Sequence, residues 1–180
     1  MKNILYFLGA FIILAFIHES LHAVIAWAYG EFDSFVVHFY GFEVVYKTPV
    51  NTREGIQWGF ISGTPNIVTV LLGYLLFGLR KRIAGATAPF FRALGFWLIL
   101  LFLVADPLNL SIGPFIYGGD AGGIVKGFGI NLYLLQVLTF IIFLLNRELI
   151  ARKLLPDFGI KTRHPLFVPW FQNRKTQKTA

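Results

Sequence analysis

The sequence predicts a mainly α-helical membrane protein of about four transmembrane helices, with a short membrane-associated β-hairpin between the first and second. Three observations predict it. The chain is 56% hydrophobic and 17% aromatic against 14% charged, a composition suited to lipid rather than to a small soluble core. Four apolar runs each approach the roughly 20 residues that a helix needs to cross hydrocarbon. Between the first two runs, Ser34 to Tyr46 is rich in β-branched and aromatic residues around Gly41, which reads as two short strands and a turn.

The first run, Ile4 to Tyr29, has 26 residues, about 39 Å as helix against a hydrocarbon core of about 30 Å. It can cross with tilt, and Gly30 ends it. Strands are expected at 34–39 and 42–47, lying on or dipping into the membrane surface; an interfacial loop is the other reading of so short a segment. The second run is Ile56 to Leu79, closed by Arg80-Lys81-Arg82. Within it Pro65 removes a helical hydrogen bond and predicts a kink, beside which Asn66 could point at a site. The third run spans about 90–110, interrupted late by Asp106-Pro107. The glycine-rich stretch Gly118 to Gly123 follows and reads as a flexible gate. The fourth run is about 128–145. Residues 1–155 thus form the transmembrane core, and 156–180 a basic, proline-containing tail, interfacial or disordered.

The net charge of +7 does not point to nucleic acid, because the basic residues sit beside apolar runs and in the tail. Lys2, Arg80 to Arg82, Arg92, Arg147, Arg152 and Lys153 fall on the side that holds both termini. Lys47, Arg53 and Lys126 fall on the other, among Glu31, Asp33, Glu43 and Glu54. Positive-inside asymmetry makes the terminal side cytoplasmic. The expected location is an integral, multi-pass position in a prokaryotic cytoplasmic membrane.

Inside the first run lies His18-Glu19-Ser20-Leu21-His22. Histidines four apart leave one face of a helix and can bind one metal ion, with Glu19 between them as general base for an activated water. Ionisable groups in hydrocarbon cost several kcal/mol and mark functional sites by default. A secretory signal peptide, with Lys2 as its basic end and a cleavage site near Ala26 and Ala28, is the first bland alternative, and the apolar stretch is too long for it. Histidines that merely hydrogen-bond inside a bundle are the second. With no cysteine in the chain, any metal is held by histidine and carboxylate, which suits zinc, one per chain. A catalytic zinc usually takes three protein ligands. His38 reads as an ordinary strand residue, and His164 lies in the tail on the wrong side, so the third ligand is a carboxylate. Asp120 and Asp106 both reach the half of the membrane that holds His22, and geometry alone leaves them close to even.

The HExxH helix, an apolar hairpin, Ser62-Gly63-Thr64-Pro65-Asn66, then Asn109-Leu110-Ser111-Ile112-Gly113-Pro114 and Gly119-Asp120-Ala121-Gly122-Gly123 together resemble the site-2 protease family of intramembrane zinc metalloproteases. The resemblance covers roughly residues 1–145. Leu21 stands where that family usually has glycine, and the Asn-to-Asp interval is longer. The resemblance implies a minimal catalytic core without an accessory domain, with His18, His22 and Asp120 as zinc ligands, Glu19 as the base and Asn66 as a catalytic hydrogen-bond donor. The substrate would be a transmembrane protein met within the lipid bilayer. A metal-binding membrane protein without proteolytic activity, a transporter or an inactive scaffold, is the rival class.

Overall fold

The computed structural model describes residues 2–170. Its elements are α1 (Lys2–Ala28), a hairpin of β1 (Phe32–His38) and β2 (Gly41–Tyr46), α2 (Ile56–Gly78), α3 (Arg80–Ala84), α4 (Pro89–Ile112), α5 (Gly119–Phe128) and α6 (Leu132–Leu149). A π turn at Ile150–Leu154 carries α6 into the short α7 (Leu155–Asp157). Four stretches, Asn3–Ala28, Ile56–Gly78, Pro89–Phe115 and Leu132–Asp157, are helical, long and apolar enough to cross a membrane. The predicted class holds: a mainly α, multi-pass membrane architecture with one antiparallel hairpin after the first helix.

Helix α4 is the centre of the bundle. Leu101 and Phe102 pack on Ala10 and Leu14 of α1, Phe96, Ile99 and Leu103 meet Ile150, Leu154 and Leu155 beyond α6, and Leu110 meets Ala121 and Ile124 of α5. It also runs through Pro107 without breaking, where the sequence suggested an interruption. Proline leaves the carbonyl four residues earlier without its helical donor. That carbonyl, Leu103 O, is taken by the Asn146 side-chain amide of α6 at 2.6 Å, so the helix continues and gains a latch to its neighbour.

The glycine-rich stretch is helical from Gly119 on and forms the first turns of α5, with Gly118 as its N-cap. Its glycines serve close packing. A Cβ on Gly127 would lie 2.0 Å from the backbone nitrogen of Gly59, and one on Gly123 2.0 Å from Ser62 Oγ. Gly127 against Gly59 and Gly123 against Ser62 let the backbones of α2 and α5 meet, the small-residue device of helices in lipid. Gly129 (φ 64°) then ends α5 in the left-handed conformation. Gly127→Ala is therefore expected to destabilise the bundle by about 1–3 kcal/mol through overpacking. Gly122→Ala meets nothing within 4 Å and should be neutral or stabilise by up to about 1 kcal/mol, since alanine is the better helix former. Chemical unfolding in detergent compares the two; equal stabilities would refute the close-contact assignment.

The hairpin folds back along α1. Its strands pair from Phe32↔Tyr46 to His38↔Gly41, with an irregularity at Asp33. Phe35 and Phe42 set their rings edge-on to Phe16 at 6.2 and 5.5 Å. Phe16 stands near the middle of the first span, so the hairpin reaches membrane depth rather than resting on the surface. The Arg53 guanidinium, 4.6 Å from the Tyr46 ring and 4.5 Å from that of Trp58, ties its base to the start of α2.

At the opposite end, residues 159–170 fold against the bundle. The buried Arg147 donates to Leu166 O at 2.6 Å, to Pro165 O at 2.9 Å and to Val168 O, and stacks on Trp170 at 4.2 Å. A guanidinium with its donors on carbonyls satisfies those groups where water is scarce. The rest of the predicted tail, 171–180, lies outside the described residues.

Candidate metal centre

Two turns before α1 ends, His18 and His22 point from one face towards α2, α4 and α5. His22 is 3% exposed. Its Nδ1 lies 2.8 Å from Ile61 O, an atom that can only accept, so Nδ1 carries the proton and Nε2 presents a lone pair. The ring of His18 is set the same way: Nδ1 faces Asp106 Oδ1 at 3.3 Å. The two Nε2 atoms are 3.1 Å apart, and Asp120 places Oδ2 3.2 Å from that of His18 and Oδ1 3.2 Å from that of His22.

This convergence has a definite chemistry. With both Nδ1 atoms protonated, neutral rings offer two lone pairs, and the carboxylate adds two acceptor oxygens. Acceptors at such separations repel unless something positive lies among them. Ligands about 2.0–2.1 Å from a tetrahedral zinc stand about 3.3 Å from one another, close to the 3.1 and 3.2 Å found. His18, His22 and Asp120 each offer an atom to one point, and the imidazole and carboxylate donors suit zinc.

The groups behind these three are ordered in turn. Asn66 donates from Nδ2 to Asp120 Oδ2 at 2.9 Å and to Ser62 O at 2.8 Å. Its amide hydrogens are thus engaged in orienting Asp120. Asp106 is buried, and its Oδ2 accepts from the Thr69 hydroxyl. Such outer partners fix ring and carboxylate orientation around a metal. Thr69 was not among the residues singled out from sequence, although a signal exists: Ser62, Asn66 and Thr69 recur at helical spacing as a polar stripe on an apolar helix, and all three are buried.

Glu19 takes no part in the convergence. It lines a cavity of about 480 Å³ together with His18, Asp106, Asn109, Tyr117 and Asp120, and no other described side chain hydrogen-bonds its carboxylate. Across that cavity the Tyr117 hydroxyl donates to Asn109 Oδ1, a pair that sequence reasoning did not assign a role. Burial raises the Tyr117 phenol above its usual range, with Asp120 adding to the effect. Burial likewise raises Tyr46, reinforced by Asp120 and Glu19, so both remain neutral hydroxyls beside the carboxylates. His38 pairs with Glu43 at 2.8 Å on the hairpin, and His164 accepts from Leu166 N in the C-terminal segment; neither joins the cluster. No family model, curated protein or solved structure matches the chain.

Proposed function

We propose that this chain is an intramembrane zinc metalloprotease, hydrolysing a peptide bond in or near a transmembrane segment of a membrane-protein substrate. The observation that carries the reading is the meeting of two pre-set imidazole nitrogens and one carboxylate at a point, with an uncommitted carboxylate beside them. The motif resemblance to the site-2 protease family supports the same roles. Zinc held by His18, His22 and Asp120 would bring the pKa of a water towards neutrality and polarise a carbonyl. Glu19 would take a proton from the attacking water as the water oxygen bonds to the carbonyl carbon, then deliver it to the nitrogen as the C–N bond breaks. Asn66 holds Asp120 in place.

A transmembrane helix hides its peptide bonds in its own hydrogen bonds, so the substrate must unwind locally and needs new partners for its backbone in lipid. The hairpin supplies them. A two-stranded sheet at membrane depth leaves edge groups that hydrocarbon cannot satisfy, and an extended substrate segment added as a further strand satisfies both chains. A metal transporter would have no need of a carboxylate base at the cavity, which favours the enzymatic reading over its rival.

The test is cleavage of a tagged single-span substrate by the protein reconstituted in proteoliposomes. Cleavage should disappear on chelation and return with about one zinc per chain. Hydrolysis indifferent to chelation, or purified protein that takes up no zinc, would refute the proposal.

A further inference from the structure

We propose that Pro65 is a positioning residue, which fixes the tautomer of His22 by what it lacks. In an α-helix the N–H of residue 65 would donate to the carbonyl of Ile61. Proline has no N–H, so Ile61 O is left without its helical donor at a buried position. His22 Nδ1–H fills that gap at 2.8 Å. The ring is almost wholly buried, so water offers no alternative partner. The vacancy in one helix therefore dictates which nitrogen of a histidine on another carries the proton, and leaves Nε2 bare towards His18 and Asp120.

The same device recurs where no site is present. Pro107 frees Leu103 O, and the wholly buried Asn146 occupies it from α6. Pro65 and Pro107 thus each leave a carbonyl that a side chain of another helix fills. At Pro107 the consequence is a latch; at Pro65 it is the aim of a ligand. In Pro65→Ala the restored N–H bonds Ile61 O along the helix and competes with His22, whose proton is then no longer held on Nδ1.

The consequence for metal affinity rests on the zinc reading, whereas the tautomer does not, and the two are measured separately. In zinc-free protein in micelles, nitrogen-15 NMR of the histidine rings should show His22 protonated at Nδ1 in the wild type and a mixture of tautomers in Pro65→Ala. Zinc titration against a chelator should give an affinity about 10–100-fold weaker in Pro65→Ala, the range for lost outer partners of metal ligands. Pro107→Ala should bind zinc as the wild type does. Pro65→Ala should also melt no lower than wild type, because alanine suits a helix interior, so affinity and stability would part company as in no simple loss of fold. A wild-type His22 whose Nδ1 carries no proton, the ring being protonated at Nε2 alone, overturns the proposal whatever the variant does. So does a Pro65→Ala protein with the wild-type tautomer and wild-type zinc affinity. If the wild type binds no zinc, the metal reading falls, and the tautomer comparison still decides what Pro65 does.

Discussion

Glu19→Gln is expected to keep about one zinc per chain and to lose peptide hydrolysis by at least a factor of about 10²–10⁴, the usual contribution of a positioned acid–base group. The expectation follows from where Glu19 lies. It shares a helix turn with the two histidines, yet its carboxylate stays outside the set of atoms that converge and opens onto the cavity beside His18 and Asp120. Glutamine preserves size and one carbonyl oxygen but cannot take the proton of a water at neutral pH. The loss should therefore fall on kcat, with substrate binding little changed, because the proton moves only as the new bond forms. Metal content by elemental analysis and cleavage of the same single-span substrate check both halves. Loss of zinc in Glu19→Gln would make Glu19 a ligand, and full activity would remove it from the reaction.

The parts of this protein that were legible in sequence are those written in local pattern. The apolar runs gave the spans because hydrocarbon demands length and hydropathy and little else. The i, i+4 histidines gave a shared face because a helix allows no other arrangement, and the β-branched run around Gly41 gave the hairpin, whose observed strands are shifted by one or two residues from the expected 34–39 and 42–47. What stayed hidden depends on contacts between elements. Gly118 to Gly123 reads as a flexible stretch when each glycine is taken alone, yet α5 is helical from Gly119, with Gly123 and Gly127 set against Ser62 and Gly59 of another helix. Pro65 reads as a kink and Pro107 as an interruption because their missing bonds are visible in sequence, while the donors that replace them, His22 and Asn146, stand 43 and 39 residues away. The resemblance implies Asn66 as a catalytic hydrogen-bond donor, whereas its amide nitrogen donates to Ser62 O and Asp120 Oδ2, a pairing no spacing rule contains.

Asp120→Ala is expected to abolish stoichiometric zinc, while Asp106→Ala should weaken it by about 10–100-fold. Sequence left the two aspartates close to even, since both approach the same half of the membrane. The arrangement of the rings separates them. Asp120 faces Nε2 of both histidines at 3.2 Å, on the side where the lone pairs meet. Asp106 faces Nδ1 of His18 at 3.3 Å, the opposite edge of the imidazole, and an ion held by His22 Nε2 cannot be reached from there. Asp106 also accepts from Thr69, itself wholly buried, so the carboxylate holds one ring orientation and its tautomer rather than a charge to share. Removing it leaves His18 free to turn or to exchange its proton between nitrogens, which lowers affinity without removing a ligand. Asp106→Asn should be milder than Asp106→Ala, because the amide oxygen at the Oδ1 position can still accept from His18 Nδ1–H, while the NH2 at the Oδ2 position can donate to the Thr69 hydroxyl oxygen, which now accepts instead of donating. Zinc titration of the three variants against a competing chelator ranks them. Stoichiometric zinc in Asp120→Ala beside none in Asp106→Ala would reverse the two roles and move the third ligand from α5 onto α4.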